Sequence, residues 1–311
     1  MGKKRVLVGY GIDVDAVSGC GVDVWAVGRI NTRDGSPANP TDVSRGVFGA
    51  TVGIDRLLKL WDKYGIKTTW FVPAHSIESF PEQLSKVKNA GHEIGLHGYT
   101  HEFVSTLSEQ QQKDVLTKSV QVLTDFTGKK PRGWTAPAWS TSRQTIRLLE
   151  EFGIEYDHSF MHHDSQLYYC PDGSEEWTET DVAKSAEEWM KPMTAIKPSK
   201  VVEVPANWHL DDWPPFQLNL KQPSTHGFVD PYVIERLWKD QFSFLYREYD
   251  TFVFPMSIHP QVSGKPQVVL MHERIIEWIN SHEGVEWMTM EDMVKEFKEG
   301  RLGGAEVRGG K

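Results

Sequence analysis

Glu93-Ile94-Gly95-Leu96-His97-Gly98-Tyr99-Thr100-His101 is the stretch on which the reading of the chain turns. Its apolar run stops at a histidine, Gly98 breaks the extended pattern, and a second histidine stands four residues after the first. This reads as a buried strand whose C-terminal end opens into a loop. Two neutral imidazoles so spaced can converge on one divalent ion. With 12 histidines among 311 residues, chance alone supplies roughly half a His-x-x-x-His pair, so the spacing weighs little and the place decides. The place is a strand end, where parallel α/β proteins gather their chemistry.

Working outward, strands and helices alternate. A strand over residues 6–12 runs into Asp13-Val14-Asp15, whose carboxylates at i and i+2 share one face of an extended chain. Helices are expected over 51–64 (ended by Gly65), 81–90 (ended by Gly91), 108–126 (Ser108 as N-cap, Gly128 as stop), 142–152, 231–249 and 267–281. Between them lie strands at 67–72, 131–139, 155–158, 201–205, 251–258 and 285–288. About seven strand–helix units in one domain of residues 1–300 imply a parallel sheet or barrel. Residues 18–46 read as a long loop insertion, 161–199 as an irregular excursion, and the glycine-rich 301–311 as a disordered tail.

Composition narrows the partners. The apolar share of 39% and the charged share of 25% are those of an ordinary water-soluble chain. A net charge of −9 opposes nucleic-acid and anionic-membrane surfaces, and no apolar run is long enough to span a bilayer. The basic start at Met1–Arg5 gives way at once to a short strand and acidic residues, which reads against a signal peptide and for a cytoplasmic location. Cys20 and Cys170 have no metal-ligand spacing; reduced thiols are expected, with a disulfide left open.

The expected strand ends carry Asp13 and Asp15, His97 and His101, Trp139, Asp157, Asp211 and His259. In a parallel barrel these ends share one face, so one carboxylate and two imidazoles can leave a divalent ion open to substrate. On these residues the chain resembles the polysaccharide deacetylase family (the nodulation-protein-B homology domain) over about residues 5–290. The aspartate pair is similar to that family's first motif, His97 and His101 to its second, and Met256-Ser257-Ile258-His259 to its late histidine motif. The resemblance implies a distorted (β/α)7 TIM-like barrel and one divalent metal ion, with zinc the expected one. It further implies that Asp15, His97 and His101 hold the metal, that Asp13 is the catalytic base, and that His259 is the catalytic acid. A homo-oligomer acting on a small molecule is also implied.

The chain departs from the family pattern at three points. Val14 separates the aspartates, Thr135-Ala136-Pro137 stands where an Arg-x-Pro motif is usual, and Asn207-Trp208-His209-Leu210-Asp211-Asp212-Trp213 is added. These features resemble an intracellular subgroup that includes peptidoglycan-deacetylase-like proteins and cyclic imide hydrolases. Trp139, Trp208, Asp211 and Trp213 are then the candidate substrate-binding residues, with Arg45 or Arg29 standing in for the missing arginine. The expected activity is hydrolysis of a C–N bond other than a peptide bond, first in a small cyclic imide. The alternatives are N-deacetylation of an amino sugar in peptidoglycan or chitin, and a catalytically silent metal-binding barrel.

Overall fold

In the computed structural model, which describes residues 4–18, 40–217 and 227–307, nine strands form one sheet. They are β1 (Arg5–Asp13), β2 (Thr69–Val72), β3 (Glu93–Leu96), β4 (Gly133–Trp134), β5 (Tyr156–Asp157), β6 (Tyr168–Pro171), β7 (Pro198–Glu203), β8 (Thr251–Ile258) and β9 (Val285–Trp287). Seven of them run parallel in the order β7-β5-β4-β3-β2-β1-β8. β6 lies antiparallel on β7, and β9 pairs with the first half of β1, ahead of the part that pairs with β2. The gap between the ends is bridged by Asp211 pairing with Ser257 and by the Val253 N–H donating to Ser165 O at 2.9 Å. The result is the distorted (β/α)7 barrel that the family resemblance implied, in a single domain.

Residue parity explains which way each strand faces. Along β1, Val6, Val8, Tyr10 and Ile12 pack outward under the helices, in one cluster with Leu57, Trp61 and Ile275. The other face carries Leu7, Gly9, Gly11 and Asp13. There Leu7 joins Phe71, Tyr156, Val202, Val253 and Met293 inside the barrel. Gly9 and Gly11 leave the room taken by Met293 and Met290, since a Cβ would approach their methyl groups to 2.8 and 2.9 Å. The helix Met290–Lys298 thus closes the bottom of the barrel, and full burial of each large apolar side chain contributes roughly 1.5–3 kcal/mol. Carried to the strand ends, the inward series 9, 11, 13 on β1 and 253, 255, 257, 259 on β8 deliver Asp13 and His259 to the barrel mouth.

The expected helix stops hold: Gly65 and Gly128 take left-handed backbone at φ 66° and 80°, and Ser108 caps Glu109–Thr127 with Gln111 in a reciprocal capping box. Three expectations need correction. Residues 40–64 are helical throughout, as Pro40–Phe48, a π-helical segment Gly49–Gly53 and Ile54–Tyr64, so the loop reading ends at 39. Pro40 at a helix start is compatible with its fixed φ and missing N–H. The remainder of that insertion, with Cys20, Trp25 and Arg29, lies outside the described residues. The 161–199 excursion contains β6, held because Tyr168 and Cys170 are buried. The tail is not loose through Ala305: Leu302 is buried, and the Ala305 N–H donates to Leu167 O at 2.9 Å. Gly304 permits that contact, because a side chain there would collide with Phe297. Residues 308–311 lie outside the described residues.

Gly133 on β4 gives a direct test of interior packing. A Cβ there would fall within the Tyr156 ring, which is fully buried and tethered by its hydroxyl to Glu93 Oε1 at 2.6 Å. Neither partner can yield cheaply, because Glu93 also accepts from Thr69 Oγ1 at 2.6 Å and from the Glu291 N–H at 3.0 Å. Gly133→Ala is expected to destabilise the fold by about 3 kcal/mol in urea unfolding, the upper range for overpacking. A change within about 0.5 kcal/mol, the range of an ordinary surface substitution, would show that the ring relocates freely.

Candidate active site

The two histidines reach the barrel mouth by different means. His97 continues the inward parity of β3 and is fully enclosed, whereas His101 sits on the following turn with φ at 62°. That left-handed backbone is uncommon for histidine and persists where its surroundings over-determine it. Glu102 supplies the constraint. Its carboxylate accepts from the Tyr99 N–H at 2.9 Å, the Thr100 N–H at 2.8 Å and Thr100 Oγ1 at 2.7 Å. Gly98, at φ 70°, starts the turn and has its carbonyl held by the Ala74 N–H at 3.1 Å. The Asp15 turn is fixed likewise, its carbonyl accepting from the Ser18 N–H at 2.8 Å and Ser76 Oγ at 3.0 Å.

His97 Nε2 lies 3.5 Å from Asp15 Oδ1 and 3.7 Å from Asp13 Oδ2; His101 Nε2 lies 3.7 Å from the same Asp15 oxygen. His97 Nδ1 is 2.9 Å from the Thr135 carbonyl, a contact that puts the ring proton on Nδ1 and turns the Nε2 lone pair toward Asp15. Asp15 Oδ1 and His97 Nε2 are both buried without a hydrogen-bond partner. Two orphaned donor atoms facing each other, with His101 alongside, form the donor set a divalent ion takes, and Asp15, His97 and His101 fit one.

Charge points the same way. Burial alone would lower His97, but Asp13 and Asp15 outweigh it and draw positive charge to this spot. Burial would raise Asp15, yet His101, His97 and His259 together hold it below its ordinary value. Asp13 is raised, burial exceeding the pull of His97 and His259. His101, buried and beside a second imidazole, falls to about 4, so it stays neutral and able to ligate.

His259 completes the site from β8. Its Nε2 lies 3.9 Å from Asp13 Oδ2, and its Nδ1 is 2.7 Å from Asp212 Oδ1. Asp212 Oδ2 accepts from the His259 backbone N–H at 2.9 Å and from Ser263 Oγ at 2.5 Å. Burial would lower His259, but the Asp212 carboxylate against its Nδ1 overcomes it and raises the imidazole well above its usual value. The ring therefore stands charged, with a proton facing Asp13.

Asp13, Asp15, His101, Trp139, Trp208, Asp211, Trp213 and His259 line one cleft of about 30 Å³. Trp139 meets Trp208 edge-on at 4.5 Å, and Trp213 tilts over His259 at 4.7 Å. Trp139 is itself held at φ 50°, after Ala138 at 51°, which turns the indole across the cleft. Asp211 lines this space, but its Oδ1 accepts the Trp213 N–H at 2.6 Å, and burial pushes the group up to about 8.

Three expected residues are not among the groups lining the cleft: His97, enclosed beside Asp15, and also Arg45 and Asp157. Arg45 is not among the lining groups; it belongs to the helix Pro40–Phe48, and its charge acts on Lys265 instead. Asp157 shares its strand end with the site but pairs in register with Glu203 and turns outward to Glu203 and Cys170. Its neighbour His158 takes the inward position, with Nδ1 2.7 Å from Val204 O and Nε2 2.9 Å from Ser257 Oγ. Sequence reasoning passed over Asp212, Glu102 and Gln261. Of these, only Asp212 had a local sign, standing beside Asp211 in the added segment.

A parallel barrel with an Asp-His-His cluster able to hold a divalent ion, and a carboxylate and an imidazole beside it at the C-terminal ends of the strands, has the arrangement of a metal-dependent hydrolase site. Residues 48–156 match the family described as polysaccharide deacetylase. The Helicobacter pylori protein named "Peptidoglycan deacetylase" is 48% identical over 294 residues, 94% of this chain and 97% of its own. "Peptidoglycan deacetylase-like protein FGM2" of Gibberella zeae is 39% identical over 304 residues, 95% of this chain and 87% of its own. A crystal structure from Mycobacterium smegmatis, assigned to the polysaccharide deacetylases, shares the fold with a TM-score of 0.77 at 24% identity, over 98% of this chain and 94% of the other. The chain belongs to the polysaccharide deacetylase family, hydrolases of C–N bonds other than peptide bonds. Among the described residues no helix is long and apolar enough to cross a membrane.

Proposed function

We propose that the protein removes the acetyl group from an N-acetylated amino sugar of the kind found in peptidoglycan. The observation that carries this reading is the cleft itself. It has Trp208 partly exposed at its rim and Asp13, Asp15, His101 and His259 within, so a saccharide can rest outside while its acetyl group reaches the inner residues. The two relatives with peptidoglycan deacetylase in their names support the same order, so the cyclic imide expected first from the sequence becomes the second choice. Trp208, partly exposed at the rim and edge-on to Trp139, offers an apolar face on which a sugar can stack.

The chain's own groups divide the work. A divalent ion, proposed to be zinc, held by Asp15, His97 and His101 would supply Lewis acidity, polarising the amide carbonyl and acidifying water. Asp13 accepts the water proton as the oxygen attacks the carbonyl carbon. His259, held charged by Asp212, donates its proton to the departing nitrogen as the C–N bond breaks, giving acetate and a free amine. Trp139 and Trp213 exclude other water from the reacting bond.

The test is a side-by-side assay at matched zinc loading, measuring acetate release from N-acetylglucosamine oligomers and peptidoglycan fragments, and ring opening of a five- or six-membered cyclic imide. Acetate release is expected to dominate. Imide opening without acetate release would overturn this reading and restore the small-ring substrate.

A further inference from the structure

Immediately after His259 the chain folds into a short turn, Pro260–Ser263, and one side chain of that turn reaches back under the metal-ligand set. Gln261 is buried, and its Nε2 donates to Asp15 Oδ2 at 3.2 Å. This is the oxygen of Asp15 that does not face the imidazoles; Oδ1 does. Gln261 is not among the residues lining the cleft. Because a carboxylate oxygen only accepts, the amide must present its nitrogen here, and Gln261 Oε1 is left buried without a partner. A buried amide oxygen without a partner among the described residues costs stability, and here it accompanies the bond its nitrogen makes to Asp15.

The wall behind Gln261 is built to the same end. The π-helical segment Gly49–Gly53 packs directly against it: a Cβ on Gly49 would approach Gln261 Cβ to 2.9 Å and its backbone N to 3.0 Å. A Cβ on Gly53 would collide with the Pro260 carbonyl. Two glycines set four apart in a widened helical turn thus bring backbone against backbone and leave Gln261 one direction in which to extend. Single π-turns of this kind occur mostly inside α-helices and frequently at functional sites.

We propose that Gln261 is a positioning residue for the metal centre, holding Asp15 so that Oδ1 alone is offered to the ion beside His97 and His101. The inference rests on the metal reading of that triad. Loss of such an outer partner generally costs 10–100-fold in metal affinity, and that is the expected effect of Gln261→Leu, which keeps the bulk and removes the amide. Gln261→Asn, with the amide one methylene short of Asp15, is expected to lose affinity in the same direction.

Zinc affinity is measured by titration against a chromophoric chelator, together with thermal unfolding of the metal-stripped and zinc-loaded protein, for wild type, both Gln261 variants and His97→Ala. The expected result is a melting temperature of the stripped variants close to wild type, with a smaller gain on adding zinc. A purely structural role would instead lower both melting temperatures equally and leave the zinc affinity unchanged, which would overturn the proposal. Should Gln261→Leu fail to fold, unchanged affinity in Gln261→Asn overturns it alone. If His97→Ala binds zinc as wild type does, the triad reading has failed; if His97→Ala loses zinc and the Gln261 variants do not, only the present proposal has.

Discussion

His97→Ala protein, reconstituted with zinc and desalted, is expected to carry almost no metal where wild type carries close to one equivalent. The imidazole is the enclosed member of the donor set, with its tautomer set by the Thr135 carbonyl at 2.9 Å and its Nε2 otherwise unpartnered. Removing it leaves Asp15 and His101, two ligands where catalytic zinc ordinarily takes three from the protein. The loss should exceed the roughly 10–100-fold that follows from deleting an outer hydrogen-bond partner. The fold should survive, because His97 lies at the barrel mouth beyond the apolar interior formed by Phe71, Tyr156 and Val253. Unchanged circular dichroism with absent metal is the predicted pair of observations.

Equal metal in variant and wild type would send the assignment elsewhere, and among the described residues two other clusters offer ligand atoms at similar spacing. Both are poorer candidates on chemical grounds. Asp157, Glu203 and Cys170 are enclosed on the outer side of the sheet. There Glu203 accepts from the Ser159 and Phe160 N–H groups at 2.8 and 3.0 Å, and Cys170 Sγ lies 3.3 Å from its other oxygen. Burial raises Asp157 to about 7 and the Cys170 thiol well above its usual value, so protons already neutralise this cluster. In the Asp211, Asp212 and His259 cluster, the Trp213 N–H, the His259 N–H and Ser263 occupy the carboxylate oxygens.

What could be read in the sequence follows from strand periodicity. A strand of nine residues such as β1 has one apolar outward face, so the positions of Asp13 and His259 at the mouth follow from counting by two along β1 and β8. The same count fails on β5, only two residues long, where one step separates Asp157, turned outward, from His158, turned inward. Arg45 could not be placed because the helical run from Pro40 to Tyr64 hides its direction until the Gly49–Gly53 turn meets Pro260. Gln261 and Asp212 act on residues 246 and 47 positions away, respectively, and no local pattern encodes such contacts. The proposed metal ligands were legible because a motif and a strand end coincided. Their supports were not, because those are set by packing between distant segments.

Asp13→Asn is expected to bind zinc as wild type does and to lose roughly 10²–10⁴-fold in kcat, the usual contribution of a positioned general base. The substitution is nearly isosteric and replaces none of Asp15, His97 and His101, so the donor set remains. What is lost is the capacity to accept a proton at a position 3.7 Å from His97 Nε2 and 3.9 Å from His259 Nε2. KM should change little, since Asp13 serves the attacking water and makes no contact that holds a sugar. The comparison that gives the result meaning is Asp211→Asn, the other carboxylate in the cleft beyond the metal-ligand set. Burial holds Asp211 near 8, so it is largely protonated at neutral pH, and its Oδ1 is engaged by the Trp213 N–H. A group in that state is a poor base, and Asp211→Asn should keep most of the turnover. Full activity in Asp13→Asn together with a collapse in Asp211→Asn would exchange the two roles and remove Asp13 from the mechanism.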